Sequence, residues 1–235
     1  AGFLAGQLGA RQLFGRPWRD SVAIGFATAF SNAAILGLSI TERAFGPDAI
    51  GYNFAILAFH APFVYVVGVT AMEIVRAEGR GALGTMASVA RAMGKNPIAI
   101  GIALGALVNL SGVTVPGPVL SAVDMVAASA IPAALFALGG VLAQYKPEGD
   151  LRLVAYIIAV SLVLHPGLVY GLGYLFDIGV GQTRSAVLMA AMAPGVNAYV
   201  FANMYGVAKR VNATAVLAGT VVSILTIWLW LAVLP

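Results

Sequence analysis

Long apolar runs, separated by short polar or Gly/Pro-rich segments, follow one another along the whole chain. A helix needs about 20 apolar residues to cross a bilayer. The runs are continuous, whereas the strands of a membrane barrel are about 10 residues of alternating polarity. The pattern therefore predicts an all-α integral membrane protein with seven full transmembrane helices. The predicted spans are 20–42, 51–75, 97–113, 118–144, 151–176, 184–205 and 212–234.

The segment AGFLAGQLG at the start of the chain is apolar but too short to cross a bilayer. It carries no charged region of the kind that opens a signal peptide. We interpret it as the end of a helix whose beginning is absent, so the chain is expected to lack an N-terminal portion.

The amino-acid composition indicates a membrane protein and argues against several other classes of protein. Hydrophobic residues make up 60% of the 235 residues and charged residues only 9%, against about 25% charged in soluble domains. The net charge of +4 is explained by basic loops, so no nucleic-acid partner is predicted. The absence of cysteine excludes thiolate metal sites. No HExxH, GxSxG or paired-carboxylate pattern is present, so the prediction is that the protein is not an enzyme and needs no cofactor or metal.

The basic residues indicate the orientation of the chain. Eleven of the 13 Lys and Arg residues fall in alternate connections, counted from the N-terminal segment. Connections rich in Lys and Arg remain in the cytoplasm. This bias predicts a multi-pass protein of the cell (inner) membrane with its C-terminus outside.

Two of the predicted spans are interrupted by residues that do not suit a continuous helix. Pro194-Gly195 stands inside 184–205, and a proline frees backbone groups that hydrocarbon cannot satisfy. We expect Pro194 at the first position of a new half-helix, with free N–H groups facing a cavity that suits an anion. The rival interpretations are a simple kink at the proline and a packing role for the Asn side chains. The residues predicted to bind substrate are Ser31, Asn32, Gly37, Pro194, Gly195 and Asn197.

The two interrupted regions also resemble each other. A shift of 160 positions aligns Gly46 with Gly206, and AILA at 55–58 with AVLA at 215–218. The charge bias gives the two regions opposite orientations. Similar units of opposite topology form an inverted repeat, which is typical of secondary transporters.

Three ionisable residues inside the predicted spans are candidates for coupling to an ion. Asp124, His60 and His165 are each costly to bury in a membrane and could bind a proton or help to form a cation site. The simpler interpretation is a solvated carboxylate for Asp124 and packing roles for the two histidines.

Four motifs of the sequence are FSNAAILGLSI, KNPIAIGIALGALVNLSG, AIPAALFALGG and MAPGVNAYVFANMYGV followed by AVLAGTVVSILTIWLW. They resemble the auxin efflux carrier family, which includes plant auxin carriers and bacterial malonate or malate carriers. The resemblance runs from about residue 20 to the end of the chain. One departure is Ser39, in GLS, where the family often has GLP.

The resemblance implies ten helices in two inverted five-helix repeats, whose fourth and ninth helices cross at the substrate site. It implies that the first two helices are absent here, and that the protein is a homodimer. On this template 1–75 ends the first repeat, 76–96 is a cytoplasmic loop and 97–235 is the second repeat. Scaffold helices then occupy 97–144, and transport-domain helices occupy 151–234.

The predicted function is secondary active transport of small organic anions by alternating access. Carboxylates such as malonate, malate or auxin-like acids are the expected substrates, with the lipid bilayer as surroundings and H⁺ or Na⁺ as the coupling ion. A sodium-coupled bile-acid-type carrier and a passive channel remain alternatives. An intramembrane enzyme is disfavoured because catalytic groups are missing from the sequence.

The predicted topology can be tested by cysteine labelling, since the chain has no cysteine of its own. Arg80→Cys and Lys209→Cys should react with a membrane-impermeant thiol reagent only from the cytoplasm. Gly117→Cys should react only from outside. Labelling of Gly117→Cys and Lys209→Cys from the same side would contradict the inverted repeat.

Overall fold

The computed structural model describes residues 1–77, 97–144 and 150–235, with Gly84, Ala87, Ala90, Arg91, Gly94 and Lys95 between them. These residues form helices joined by short turns. The predicted cytoplasmic loop 76–96 lies for the most part outside this part of the chain.

The helices before the gap are α1 (Gly2–Gln12), α2 (Trp18–Ala29), α3 (Leu38–Phe45) and α4 (Ile50–Arg76). A π-helix, Ala33–Gly37, precedes α3, and a 3₁₀ turn, Pro47–Ala49, precedes α4. The helices after it are α5 (Pro97–Ser111), α6 (Gly117–Gln144), α7 (Leu151–Ala159), α8 (His165–Leu175), α9 (Val180–Ala190), α10 (Val196–Tyr205) and α11 (Lys209–Val233), with a second π-helix, Val160–Leu164, between α7 and α8.

Helices occupy all seven apolar runs, and their ends lie within a few residues of the predicted boundaries. Within the described residues, three helical stretches are long and apolar enough to cross a membrane. They are Pro47–Arg76, Leu151–Leu175 and Lys209–Val233. Their length and hydropathy establish an all-helical membrane protein, and the full count of seven spans stays a prediction.

Glycine lets α1 approach α2 and α7 closely. A Cβ at Gly6 would stand 2.0 Å from Thr28 Oγ1, and one at Gly9 would stand 2.0 Å from the Tyr156 hydroxyl. That hydroxyl donates to the backbone carbonyl of Ala5. Small residues at such contacts are how apolar helices gain packing when hydrocarbon surrounds them. The N-terminal segment is therefore an integral part of the helix packing.

Where α7 passes into α8, a tryptophan donates to a backbone carbonyl to which a proline cannot donate. Pro166 has no N–H to donate to the carbonyl of Leu162, four residues earlier. The indole N–H of Trp230, on α11, donates to that oxygen at 2.8 Å. This bond ties α11 to the π-helix at the point where the proline weakens the helical ladder.

The helices themselves repeat at the spacing that the sequence indicates. Shifted by 160 positions, α1, α2, α3 and α4 overlap α8, α9, α10 and α11 in turn. The third helix of each set ends at a glycine with positive φ, Gly46 at 84° and Gly206 at 74°. Such a conformation favours glycine, which ends a helix without strain. The weak sequence similarity thus coincides with the same order of elements.

Removal of the tryptophan N–H should loosen this packing. Trp230→Phe keeps an aromatic ring but loses the bond to Leu162, and we expect about 1 kcal/mol of destabilisation. Thermal unfolding in detergent would measure it. Trp228→Phe is the matched control, because Trp228 lies two residues away and is 72% exposed. Equal melting temperatures for both variants and the parent would contradict a structural role for the bond.

Candidate functional site

The first predicted break lies between α2 and the π-helix. Helix α2 ends at Ala29, and the backbone is non-helical from Phe30 to Asn32. The Asn32 carbonyl then accepts from the N–H groups of Leu36 and Gly37, which starts the π-helix. Ser39 comes later, inside α3, where its hydroxyl donates to the Ile35 carbonyl. The serine in place of the family's proline therefore coexists with a break, because the break lies upstream of it.

The second break separates α9 from α10. Helix α9 ends at Ala190, and α10 begins at Val196 with Gly195 as its N-cap. Pro194 was expected at the first position of the new half-helix, and this expectation is wrong. The proline lies two residues earlier, in extended backbone opposite Ser31.

Two backbone hydrogen bonds join the breaks into a short antiparallel bridge. The Asn32 N–H donates to the Ala193 carbonyl, and the Gly195 N–H donates to the Phe30 carbonyl, both at 2.8 Å. Ser31 and Pro194 face each other between these bonds. A residue at this non-hydrogen-bonded position needs no N–H, so the proline leaves no donor missing. The two helix breaks, about 160 residues apart in sequence, thus satisfy each other's exposed backbone hydrogen-bonding groups.

Glycine and aromatic residues hold the bridge from both sides. A Cβ at Gly219, on α11, would stand 3.0 Å from Pro194 Cδ, so glycine allows this helix to approach. On the other side Phe26 stacks on Phe201 with ring centroids 4.1 Å apart. Phe30 packs against the rings of Phe26 and Tyr65. These fully or nearly buried rings join α2, α4 and α10, which limits movement of the half-helices relative to each other.

A cavity of about 320 Å³ opens beside the bridge. It brings together four of the six residues predicted to bind substrate, all except Gly37 and Pro194. His60, which was predicted to couple transport to an ion, also lines it. Apolar side chains such as Leu57, Val196 and Val200 complete the wall. The polar or backbone-exposing residues in the lining are Ser31, Asn32, His60, Gly195 and Asn197.

Two amides and one helix end give this cavity its polarity. Asn32 and Asn197 are half-buried, and the Asn32 side chain does not cap the helix that it precedes. The N–H groups of Val196 and Asn197, the first two of α10, have no partner within the helix and lie at the positive end of its dipole. The next N–H, of Ala198, donates to the Gly195 carbonyl. Amide donors beside such a helix end suit a carboxylate or another small anion.

The two histidines lie together, and one of them reaches the cavity. His60 lines the 320 Å³ cavity, and it also lines two smaller cavities of about 160 and 170 Å³ together with His165. The His60 ring packs on Phe30 at 5.2 Å. Its Nε2 atom is buried without a hydrogen-bond partner in the part of the chain that the structure describes.

The remaining predicted residues lie elsewhere. A Cβ at Gly37 would stand 2.6 Å from Met189 Sδ, so this glycine permits close packing of the π-helix on α9 and does not line the cavity. Asp124 is exposed on α6 and lines none of the cavities around the bridge. The structure does not bring Asp124 together with the two histidines.

Two residues that the sequence analysis did not select also support the site. The Tyr65 hydroxyl donates to Asn197 Oδ1 at 3.2 Å, which leaves the Asn197 amide nitrogen as the free donor end. The buried Asn212 amide donates to the carbonyls of Ala23 and Ala198, joining α2 to α10. The sequence could have indicated Asn212, because it is an amide near the start of an apolar run. Nothing in the sequence distinguishes Tyr65 from the other tyrosines in the predicted transmembrane spans.

A second cavity of about 320 Å³ is charged and lies among the loops. Arg16 and Asp150 form an ion pair at 3.5 Å there, and Asp20 and Lys209 also line it. Its basic groups could attract an anion, but its carboxylates oppose one. It contains none of the predicted site residues.

Loss of the tyrosine hydroxyl should release the Asn197 amide. Tyr65→Phe removes one hydrogen bond and should cost about 1 kcal/mol of stability. Tyr52→Phe is the control, because Tyr52 is 42% exposed. Unfolding measured in detergent should distinguish the two variants. A Tyr65→Phe protein as stable as the Tyr52→Phe protein would show that the hydroxyl does not hold the amide.

Comparison with known proteins agrees with this architecture. The family model described as "Membrane transport protein" matches residues 1–231. A protein of Rhizobium meliloti (strain 1021) described as "Putative malonate transporter" is 28% identical over 206 residues. The match covers 86% of this chain and 64% of that relative, so the chain spans less than two thirds of the relative's length. The chain belongs to this membrane transport protein family, the auxin efflux carrier family that the four sequence motifs indicate.

Proposed function

We propose that the protein is a secondary active transporter of small organic anions that works by alternating access. The observation that carries this proposal is the bridge between the two helix breaks, with an amide-lined cavity and the N-terminus of α10 beside it. Small carboxylates, including malonate, malate and auxin-like acids, are the proposed substrates. The description of the Rhizobium relative as a malonate transporter makes malonate the first one to test.

The proposed binding mode relies on hydrogen bonds and a helix end. No Lys or Arg lines the 320 Å³ cavity beside the bridge among the residues that the structure describes. A carboxylate there would accept from the first N–H groups of α10 and from the amides of Asn32 and Asn197. The Ser31 hydroxyl is a further donor in the same lining. Donors of this kind are preorganised, because the bridge and the tyrosine bond already hold them.

The repeated order of helices supports alternating access. The sets α1–α4 and α8–α11 correspond at a shift of 160, and the chain directions at the bridge are antiparallel. Two such sets in opposite orientations would form an inverted repeat, the usual basis of two alternative openings around one site. This proposal includes ten helices in a 5+5 repeat and a homodimer. It also includes a scaffold at 97–144, a transport domain at 151–234 and a C-terminus on the outer side of the inner membrane.

The driving ion is proposed to be H⁺ or Na⁺. His60 and His165 are the stronger candidates for coupling, since they line two shared cavities next to the bridge. Asp124 is a candidate only if its exposed helix face lies against another part of the protein during transport.

Asn32→Ala should weaken substrate binding and leave the fold intact. An unmet polar group in a partly dehydrated cavity costs about 1–3 kcal/mol, or roughly 5- to 150-fold in affinity. Binding of malonate and related acids would be measured by calorimetry, and uptake in proteoliposomes. Asn203→Ala is a matched control, because Asn203 is an exposed amide on the same half-helix as Asn197.

Lys209→Ala locates the site within the molecule, because it removes a basic side chain from the charged cavity instead. Loss of affinity in Lys209→Ala with normal affinity in Asn32→Ala would move the anion site away from the bridge. Large unitary currents in place of saturable uptake and countertransport would identify a channel and contradict the carrier mechanism.

A further inference from the structure

His60 occupies a position that the binding mode above does not use. It lies midway along α4, and all three cavities around the bridge include it in their lining. Its Nε2 atom has no hydrogen-bond partner among the residues that the structure describes, although the atom is buried. Phe30, whose carbonyl takes part in the bridge, packs against the His60 ring at 5.2 Å. The imidazole is therefore held in place with one nitrogen unsatisfied.

We propose that His60 is a specificity-determining residue, which binds the second carboxylate of a dicarboxylate substrate while the amides and the α10 N-terminus bind the first. This proposal rests on the carrier function proposed above and goes beyond it, since it names the residue that separates dicarboxylates from monocarboxylates.

The chemistry of the cavity lining supports this role. Ser31, Asn32 and Asn197 supply neutral hydrogen bonds and lie on the broken helices. His60 comes from α4, a different helix, and it contributes the one imidazole among the described lining residues, which can donate an N–H to a carboxylate. The remaining walls are mainly apolar. A substrate with two anionic ends thus meets polar groups from two different parts of the fold, the broken helices and α4.

An unsatisfied buried nitrogen also produces selectivity. A site built to hydrogen-bond a polar group rejects an analogue that lacks the group, because its own polar atom then stays unpaired. A methyl group in place of the second carboxylate would leave His60 Nε2 without a partner. A dicarboxylate would satisfy it once the ring turns Nε2 from its buried position toward the 320 Å³ cavity.

His165 provides a matched control within the same protein. It lines the two smaller cavities with His60 but is not part of the lining of the 320 Å³ cavity. Replacement of His165 therefore changes a neighbouring histidine without changing the proposed contact.

The test compares acids that differ by one carboxylate in the parent protein, His60→Leu, His60→Gln and His165→Gln. The pairs are malonate with propionate, succinate with butyrate and glutarate with valerate, and calorimetry gives the dissociation constant of each. We expect the parent to prefer the dicarboxylate in at least one pair. His60→Leu should reduce that preference roughly 5- to 150-fold, mainly through weaker dicarboxylate binding. His60→Gln, which keeps a donor, should retain part of the preference. His165→Gln should retain all of it, because the coupling role proposed for His165 affects ion-driven uptake and not the choice between two acids.

Several outcomes would overturn the proposal. An unchanged preference in both His60 variants would exclude the contact, and an equal loss in His165→Gln would show a general effect on packing. His60→Gln keeps the test valid should His60→Leu fail to fold. Carboxylate binding that depends on Asn32 but not on His60 would reject this inference alone, whereas binding that ignores Asn32 would reject the carrier site itself.

Discussion

The pair of backbone hydrogen bonds between the two helix breaks is the interaction on which the rest of the structure depends. A backbone N–H or C=O without a partner costs several kcal/mol in an apolar environment. The bonds from Asn32 to Ala193 and from Gly195 to Phe30 satisfy two donors and two acceptors that the interruptions expose. Pro194 occupies a position of its break where the bridge needs no donor. Each break would be costly alone, and together they stabilise each other.

The surrounding packing allows the two breaks to meet and keeps them together. Glycines let neighbouring elements approach, since a Cβ at Gly219 or Gly37 would press on Pro194 or Met189. Aromatic rings then fill the space behind the bridge, with Phe26 and Phe201 stacked between α2 and α10. Stacked rings of this kind contribute stability beyond the area that they bury. The result is a rigid frame around a small cavity, as a preorganised binding site requires.

The cavity itself is polar without being strongly charged. Amides, a hydroxyl, an imidazole and a helix end line it, and in the described residues Lys209 and Arg16 lie instead in the separate charged cavity. The proposed carrier, like a channel, would have to bind a solute strongly enough for it to enter and weakly enough for it to leave. Neutral donors around one anion meet that requirement better than a buried guanidinium would. His60 is the one titratable side chain in the described lining, and the proposal on selectivity rests on it.

The amino-acid sequence by itself determined the helices and the places where they break. Continuous apolar runs require helices in a bilayer, and the runs coincide with the observed helices to within a few residues. Proline and glycine inside 184–205, and Ser31-Asn32 inside 20–42, marked both interruptions, because these residues disturb a helix through local sterics and hydrogen bonding. The repeat at a shift of 160 was also readable, although few identities supported it.

Only the tertiary structure decided which atoms the breaks share and which side chains converge beside them. Pro194 lies in the bridge and not at the first position of α10, because a partner break about 160 residues away offers the pairing. Tyr65 holds Asn197, and His60 reaches the cavity while Asp124 does not. Hydropathy places each of these residues on a helix but does not set how that helix is rotated against its neighbours. That rotation follows from the packing of glycines and aromatic rings across the whole fold.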